Sequence, residues 1–357
     1  MTPAGAPVPR RLILAGLGNV GRSFLRVLQS QAPLLRERYE REFIVVGAAD
    51  SAGTAFDPGG LDPGAVLAAK VRGDSVASLP VVGHPGMSGI DLVRSVPADA
   101  VLESTPVNLR SGQPGLDLVR AALRHGVAVV LANKGPLALA YAELAALSDL
   151  ADSALPALRF SACVGGAMPT INLGVRDLAG ARILRVEAVL NGTTQYILRA
   201  MEQGLGYAEV LADAKQRGLT ETDPSLDVEG WDAAAKLVIV ANAVLRQQCT
   251  VADVEVEGIA RVTPEMLEAA ARRGQRIILL CLAEPGGDAG SFRLSVRPTA
   301  LPLDHPLARM DRDEMGVVYL TDIAGRASAT SLERDPVPTA AAMLRDLLEI
   351  ARLPPLG

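Results

Sequence analysis

Gly16-Leu17-Gly18-Asn19-Val20-Gly21 begins where a short apolar run, residues 11–15 (RLILA), ends. The run has the length and character of a buried strand entering a turn. Beyond it, Phe24, Leu25, Val27 and Leu28 recur at helical spacing over residues 21–30. A second apolar run over residues 43–49 then stops at Asp50. Strand, glycine turn, helix and strand make a βαβ unit and predict a parallel sheet. The G-x-G-x-x-G spacing sharpens that prediction. Its first glycine permits the tight turn, its second lets backbone approach a pyrophosphate, and its third packs the helix close to the strand. Gly16, Gly18, Asn19, Val20 and Gly21 are therefore candidate dinucleotide contacts, with the phosphates facing free N–H groups at a helix N-terminus. Asp50 stands where an acid hydrogen-bonds a ribose 2′-hydroxyl. It reads almost as well as a turn-forming Asp ahead of Ser51-Ala52-Gly53.

Further along, residues 51–97 are rich in Gly, Pro and Ala and read as loop with short helices. Strands are expected at 100–103 and 127–132, and helices at 115–125 and 137–151. The pattern changes after about residue 158. Strands are expected at 158–164, 182–190, 277–282 and 292–297. Helices are expected from Pro169, at 194–203, over 227–246 as one long element, and at 339–351.

The 357 residues predict two domains. We assign 1–10 to a disordered tail and 11–158 to a Rossmann-type parallel-sheet domain completed by a C-terminal helix in 336–357. Residues 159–335 form an α+β catalytic and dimerisation domain. Hydrophobic residues make up 49% and charged residues 21%, which excludes a disordered chain. The net charge of -5 is spread without a basic stripe, so neither nucleic acid nor an anionic membrane is an expected partner. The most apolar stretch, residues 237–245, is far below the ~18 residues that span a bilayer. Cys163, Cys249 and Cys281 are odd in number and distant from one another, which fits reduced thiols packed as small hydrophobes in a cytoplasmic protein.

Several stretches carry candidate chemistry. Asn133-Lys134-Gly135-Pro136 follows a strand, where the ends of a doubly wound sheet border the ligand crevice. Val164-Gly165-Gly166-Ala167-Met168-Pro169 exposes backbone groups suited to a ligand or ion, or is a plain helix-entry loop. Asn191-Gly192-Thr193-Thr194 is a tight turn into a helix with a threonine cap, read equally well as structure or as site. The richest stretch places Glu221, Asp223, Asp227, Glu229 and Asp232 ahead of Lys236. Asp232 and Lys236 are four apart and share a helix face. An exposed pair of that kind contributes only ~0.3–0.5 kcal/mol. Here Ala233, Ala234, Ala235, Leu237, Val238, Ile239 and Val240 make the helix apolar nearly all round. A buried Asp–Lys pair rarely stabilises a fold, so its retention points to use in proton transfer.

Five segments together resemble homoserine dehydrogenases: GLGNVGRSFLR (16–26), ANKGPLA (132–138), VGGAMP (164–169), NGTTQYIL (191–198) and TETDPSLDVEGWDAAAKL (220–237). The resemblance implies interconversion of L-homoserine and L-aspartate 4-semialdehyde with NAD or NADP, in threonine, methionine and isoleucine biosynthesis. It implies a homodimer in the short form, without kinase or regulatory domain. By that resemblance Lys236 moves the proton at the substrate oxygen, Lys134 touches substrate and cofactor, and Asp232 orients Lys236. Glu221 holds the ammonium group, Asp227 adds negative charge, and Gly192 and Thr193 line the substrate pocket. Thr105 and Gly218 approach the cofactor. A monovalent cation, Na+ or K+, is implied at the carbonyls of Val164, Gly166 and Met168.

The chain departs from the family pattern in places. Ser331-Leu332-Glu333-Arg334-Asp335-Pro336 replaces a glycine-rich segment, Ser161 a glutamate, Leu219 a tyrosine and Gln195 an asparagine. The first departure is expected to alter backbone approach on the nicotinamide side. Two rivals remain in view: a Cys163-thiol aldehyde dehydrogenase, and a non-catalytic nucleotide-binding protein.

Overall fold

The computed structural model describes residues 9–216, 224–288 and 290–352. They fall into two units, one made of the described residues up to Cys163 with those from Asp335 on, the other of Val164–Arg334.

In the first unit, β1 (Arg10–Ala15) leads into α1 (Asn19–Tyr39) and then β2 (Phe43–Asp50). Arg10 is already part of β1, its N–H bonded to the Glu42 carbonyl, so the strand takes in the last residue assigned to the tail. Residues 1–8 lie outside the described set. Residues 51–97 hold more structure than expected: β3 (Gly53–Phe56), α2 (Pro63–Val71), β4 (Gly83–Pro85) and α3 (Gly89–Ser95). Local chemistry explains this. Asp50 accepts the Ala52 N–H, which turns the chain back so that β3 pairs antiparallel with β2. Asp62 caps α2, and a Ser88–Asp91 capping box starts α3.

The unit continues with β5 (Ala100–Glu103), α4 (Gly115–Arg124), β6 (Ala128–Leu131), α5 (Gly135–Ala146) and β7 (Leu158–Arg159). The seven strands run β4-β3-β2-β1-β5-β6-β7, with β2, β1, β5, β6 and β7 parallel. Leu12, Ile13 and Leu14 are all buried, as both faces of a covered parallel sheet require. Because β1 has β2 on one side and β5 on the other, a crevice opens at the C-terminal ends of β1 and β5.

The strand expected over 158–164 is only two residues long. Arg159 pairs with Asp149 and Glu349, and the Ser161 N–H is held by Asp346 at 2.8 Å. These bonds keep 159–163 with the first unit. The C-terminal helix Val337–Ile350 places Ala340, Met343 and Leu347 in one apolar cluster with Leu12, Phe24 and Leu102.

The second unit has α6 (Thr170–Asn172), β8 (Ile183–Val189), α7 (Gly192–Met201), α8 (Tyr207–Gln216), α9 (Ser225–Val228), α10 (Trp231–Ala243), β9 (Val254–Val256), α11 (Pro264–Arg272), β10 (Gln275–Pro285), β11 (Phe292–Pro302), β12 (Glu314–Thr321) and β13 (Arg326–Leu332). Its six-stranded sheet runs β13-β12-β8-β10-β11-β9, antiparallel except where β11 meets β9. Two helix expectations change. Pro169 is the cap before α6 rather than its first residue. The long helix over 227–246 is broken at Gly230, whose φ of 90° is left-handed. No helix among the described residues is long and apolar enough to cross a membrane.

Asp346 gives a stability prediction. Burial outweighs its bonds to Ser161 and lifts its carboxyl from 3.8 to about 6. The folded state therefore binds this proton more tightly than the unfolded chain. Its contribution is full below about pH 4 and is lost as pH rises through about 6, a loss of about 3 kcal/mol. Asp346→Asn retains an acceptor for Ser161 without the titration. The melting temperature of the variant relative to wild type should rise across that window, and parallel curves from pH 4 to 8 would refute the assignment.

Candidate active site

The first unit carries the glycine loop at the crevice. Gly16 has φ 89°, and a Cβ there would lie 2.4 Å from the Ser104 carbonyl oxygen; at Gly21 it would lie 2.1 Å from the Gly16 carbonyl oxygen. The loop thus packs tightly against its own strand and the end of β5. At Gly18 the same test meets nothing within 4 Å, so the α1 N-terminus is open on that side. Asn19 accepts from Arg22 at 2.8 Å, and Val20 packs on the core.

Asp50 is heavily engaged. Lys70 Nζ and the Val76 N–H donate to Oδ2 at 2.7 and 3.0 Å, while Ser75 Oγ and the Ala52 N–H donate to Oδ1 at 2.7 and 3.1 Å. Burial acts to raise its pKa, but these donors outweigh it and hold the carboxyl below the usual range. Its bond to the Ala52 N–H shapes the turn, and its two oxygens together accept four donors.

At the end of β5, Thr105 donates its N–H to Glu103 Oε1 at 2.8 Å, and its hydroxyl donates to the same oxygen. Asn133 Nδ2 donates to Thr105 Oγ1 at 3.3 Å, and the Gly135 N–H donates to Asn133 Oδ1 at 3.0 Å. Lys134 lies half-buried within that turn at the start of α5.

In the second unit, the break at Gly230 organises the acids. Asp227 and Asp232 are five residues apart, so on one unbroken helix they would point roughly 140° from each other. With α9 and α10 separated, both reach one amide: Asn191 Nδ2 donates to Asp227 Oδ1 at 2.7 Å and to Asp232 Oδ2 at 2.8 Å. Asn191 Oδ1 meanwhile accepts the Thr194 N–H at 2.8 Å and caps α7. Lys236 Nζ lies 2.8 Å from Asp232 Oδ2 and donates to the Leu190 carbonyl at 2.7 Å. The pair is largely buried, as the apolar surroundings of α10 require. Gly192 and Thr193 follow Asn191 at the start of α7, and the Gly192 Cα faces open space. Glu221 and Gly218, with Leu219 and Asp223, lie outside the described residues.

The Val164, Gly166 and Met168 turn is buried. The segment 331–336 meets it in a way the sequence did not suggest: Glu333 lies against Gly166, and its Oε1 accepts the Ala167 N–H at 2.9 Å and Ser331 Oγ at 2.6 Å. Cys163 is buried and donates to the Leu131 carbonyl. Burial pushes the Cys281 thiol up to about 12 and that of Cys249 up to about 11. His84 stacks on Phe56, and His305 bonds to Glu187. Neither neighbours a cysteine in these contacts, and a thiol nucleophile gains no support.

Sequence reasoning passed over Glu103, and it named Asn191, Asn133 and Glu333 only within longer stretches, with no role of their own. Asn191 was visible only as a turn residue, because its two carboxylate partners lie 36 and 41 positions away. Replacing it tests this arrangement. Asn191→Ala removes a helix cap, worth ~1 kcal/mol, and charge-assisted bonds to two carboxylates, worth ~1.5–3 kcal/mol each. Urea unfolding should show a loss of at least ~2 kcal/mol, and a change below ~0.5 kcal/mol would show that the amide does not hold the pair.

A family model described as homoserine dehydrogenase matches residues 169–348. The homoserine dehydrogenase of Methanocaldococcus jannaschii is 40% identical over 340 residues, covering 95% of this chain and 98% of that protein. An NAD(+)-dependent homoserine dehydrogenase of Pseudomonas canavaninivorans is 33% identical, covering 95% and 96%. The crystal structure of a homoserine dehydrogenase from Thiobacillus denitrificans superposes with a TM-score of 0.82 at 30% identity, covering 97% of this chain and 74% of that one. These relatives give the non-catalytic reading no support. The seven-stranded dinucleotide-type sheet, the buried Asp232–Lys236 pair and the similarity along nearly the whole sequence agree: this chain belongs to the homoserine dehydrogenase family of NAD(P)-dependent oxidoreductases.

Proposed function

We propose that the chain oxidises L-homoserine to L-aspartate 4-semialdehyde, and reverses that reaction, with Lys236 carrying the proton at the reacting oxygen. The observation behind this reading is the setting of Lys236 Nζ, held by Asp232 Oδ2 at 2.8 Å and by the Leu190 carbonyl at 2.7 Å. A tetrahedral amine so held presents its third position to a substrate oxygen. When bound, NAD or NADP supplies the hydride acceptor. Lys236 takes the hydroxyl proton as hydride leaves the carbon that bears it, and returns the proton in the reverse direction. Asp232 fixes the amine and balances its charge. Asp227 and Glu221 supply negative charge for the substrate ammonium, and Gly192 and Thr193 at the start of α7 line the substrate pocket.

On the cofactor side, Gly16, Gly18, Asn19, Val20 and Gly21 cradle the pyrophosphate, and Thr105, Lys134 and Gly218 are further candidate contacts. Asp50 is already matched by Lys70 at 2.7 Å, so the acid does not by itself repel a 2′-phosphate. This leaves NAD and NADP as alternatives for assay. A monovalent cation, Na+ or K+, suits the Val164, Gly166 and Met168 carbonyls, and Glu333 brings beside Gly166 a carboxylate that Ser161 lacks. The resemblance supports a cytoplasmic homodimer paired through the second unit's sheet, acting in threonine, methionine and isoleucine biosynthesis.

The test is reduction of NAD and of NADP, assayed separately, by the purified chain with L-homoserine. Reduction of neither overturns the proposal. Lys236→Ala should lower kcat at least ~100-fold while leaving the Kd for reduced cofactor within about twofold. Wild-type turnover in that variant would remove Lys236 from the mechanism.

A further inference from the structure

Every residue of β5 before its last is a buried aliphatic: Ala100, Val101 and Leu102. The last is Glu103, and it is 0% exposed. An apolar side chain there would continue the core. Instead the fold buries a carboxyl, a group that is costly to take out of water. Burial outweighs the bonds from Thr105 and Asn133 and lifts the carboxyl from 4.5 to about 7. A group so costly at the rim of the crevice needs a reason.

The reason is visible in what its other oxygen does. Glu103 Oε1 accepts both the N–H and the hydroxyl of Thr105. With its hydroxyl hydrogen directed at Glu103, the Thr105 oxygen accepts from Asn133 Nδ2. Asn133, itself 1% exposed, uses its carbonyl to accept the Gly135 N–H across Lys134. Gly115, the first residue of α4, packs its backbone directly on both Asn133 and Glu103 and covers the chain from behind. The bonds run in one direction from the turn after β6 to the end of β5, and each polar atom in the series has its role fixed by the next. Thr105 and Lys134 occupy the two strand ends that the series joins.

We propose that Glu103 is a positioning residue for the cofactor crevice: through Thr105 and Asn133 it fixes the turn that presents Lys134. The proposal rests on the reading above, in which Lys134 and Thr105 face cofactor and substrate. Glu103 itself touches neither.

The test is a double-mutant cycle on the full chain, read as kcat/KM for homoserine oxidation and as Kd for reduced cofactor from its own fluorescence. Glu103→Leu should lower kcat/KM about tenfold. In a Lys134→Ala background the same change should cost less than twofold, because the group it positions is gone. Glu103→Gln keeps an acceptor for Thr105 and should recover activity to within threefold of wild type. Glu103→Leu should also melt no lower than wild type at pH 8, where the buried carboxyl is ionised. Additive effects of Glu103→Leu and Lys134→Ala overturn the proposal, as does a Gln variant no better than Leu. If Glu103→Leu does not fold, Asn133→Ala cuts the series one link later and is read in the same cycle with the same criteria. A wild-type chain that reduces neither cofactor removes the functional reading and this inference with it. An active wild type with additive variants removes the inference alone.

Discussion

The buried ion pair of Asp232 and Lys236 sets the terms for the second unit. Taking both charges into an apolar helix costs several kcal/mol per ion before pairing. The pair persists because every partner it needs is supplied from outside its own helix. The Leu190 carbonyl meets the amine, and the Asn191 amide meets the carboxylate. Both come from the end of β8 and the cap of α7, so the sheet and α7 must stand where they do for α10 to be buried. The left-handed Gly230 is part of the same constraint, since it lets Asp227 share the Asn191 amide.

The first unit shows the same economy at strand ends. Glu103, Asp50 and Asp346 are carboxyls near the C-terminal ends of strands or on the helix that closes the core, and each is tied to backbone N–H groups. Their environments nonetheless separate their titrations. Asp50 has Lys70 and three further donors and is held low, whereas Glu103 and Asp346 are fully buried and are raised by that burial. The balance between burial and donors at each carboxyl decides the direction, and only the three-dimensional packing sets that balance.

Glu333 illustrates how a substitution in a turn can be absorbed. The glycine-poor segment is expected to alter backbone approach on the nicotinamide side. Its acidic side chain folds onto the 164–168 turn and satisfies the Ala167 N–H. Ser331 and Glu333 are matched to the turn within the second unit.

The parallel sheet was readable from residues 11–50 because the signals are local: an apolar run, a fixed spacing of glycines, and a helix at 3.6-residue spacing. The Asp232–Lys236 pair was readable for the same reason, as an i,i+4 relation inside one helix. The strands among residues 51–97 were not, since short Gly- and Pro-rich segments become strands only when a neighbouring edge pairs with them. Nor could sequence foresee the break at Gly230, the two carboxylates on Asn191, the four donors on Asp50 or the series from Glu103 to Gly135. Each joins atoms from different elements, most of them tens of residues apart in the chain. A hydrogen bond depends on distances of a few tenths of an ångström, and periodicity carries no such information. The sequence determined which elements form and which residues could react; the tertiary structure decided which polar atoms meet.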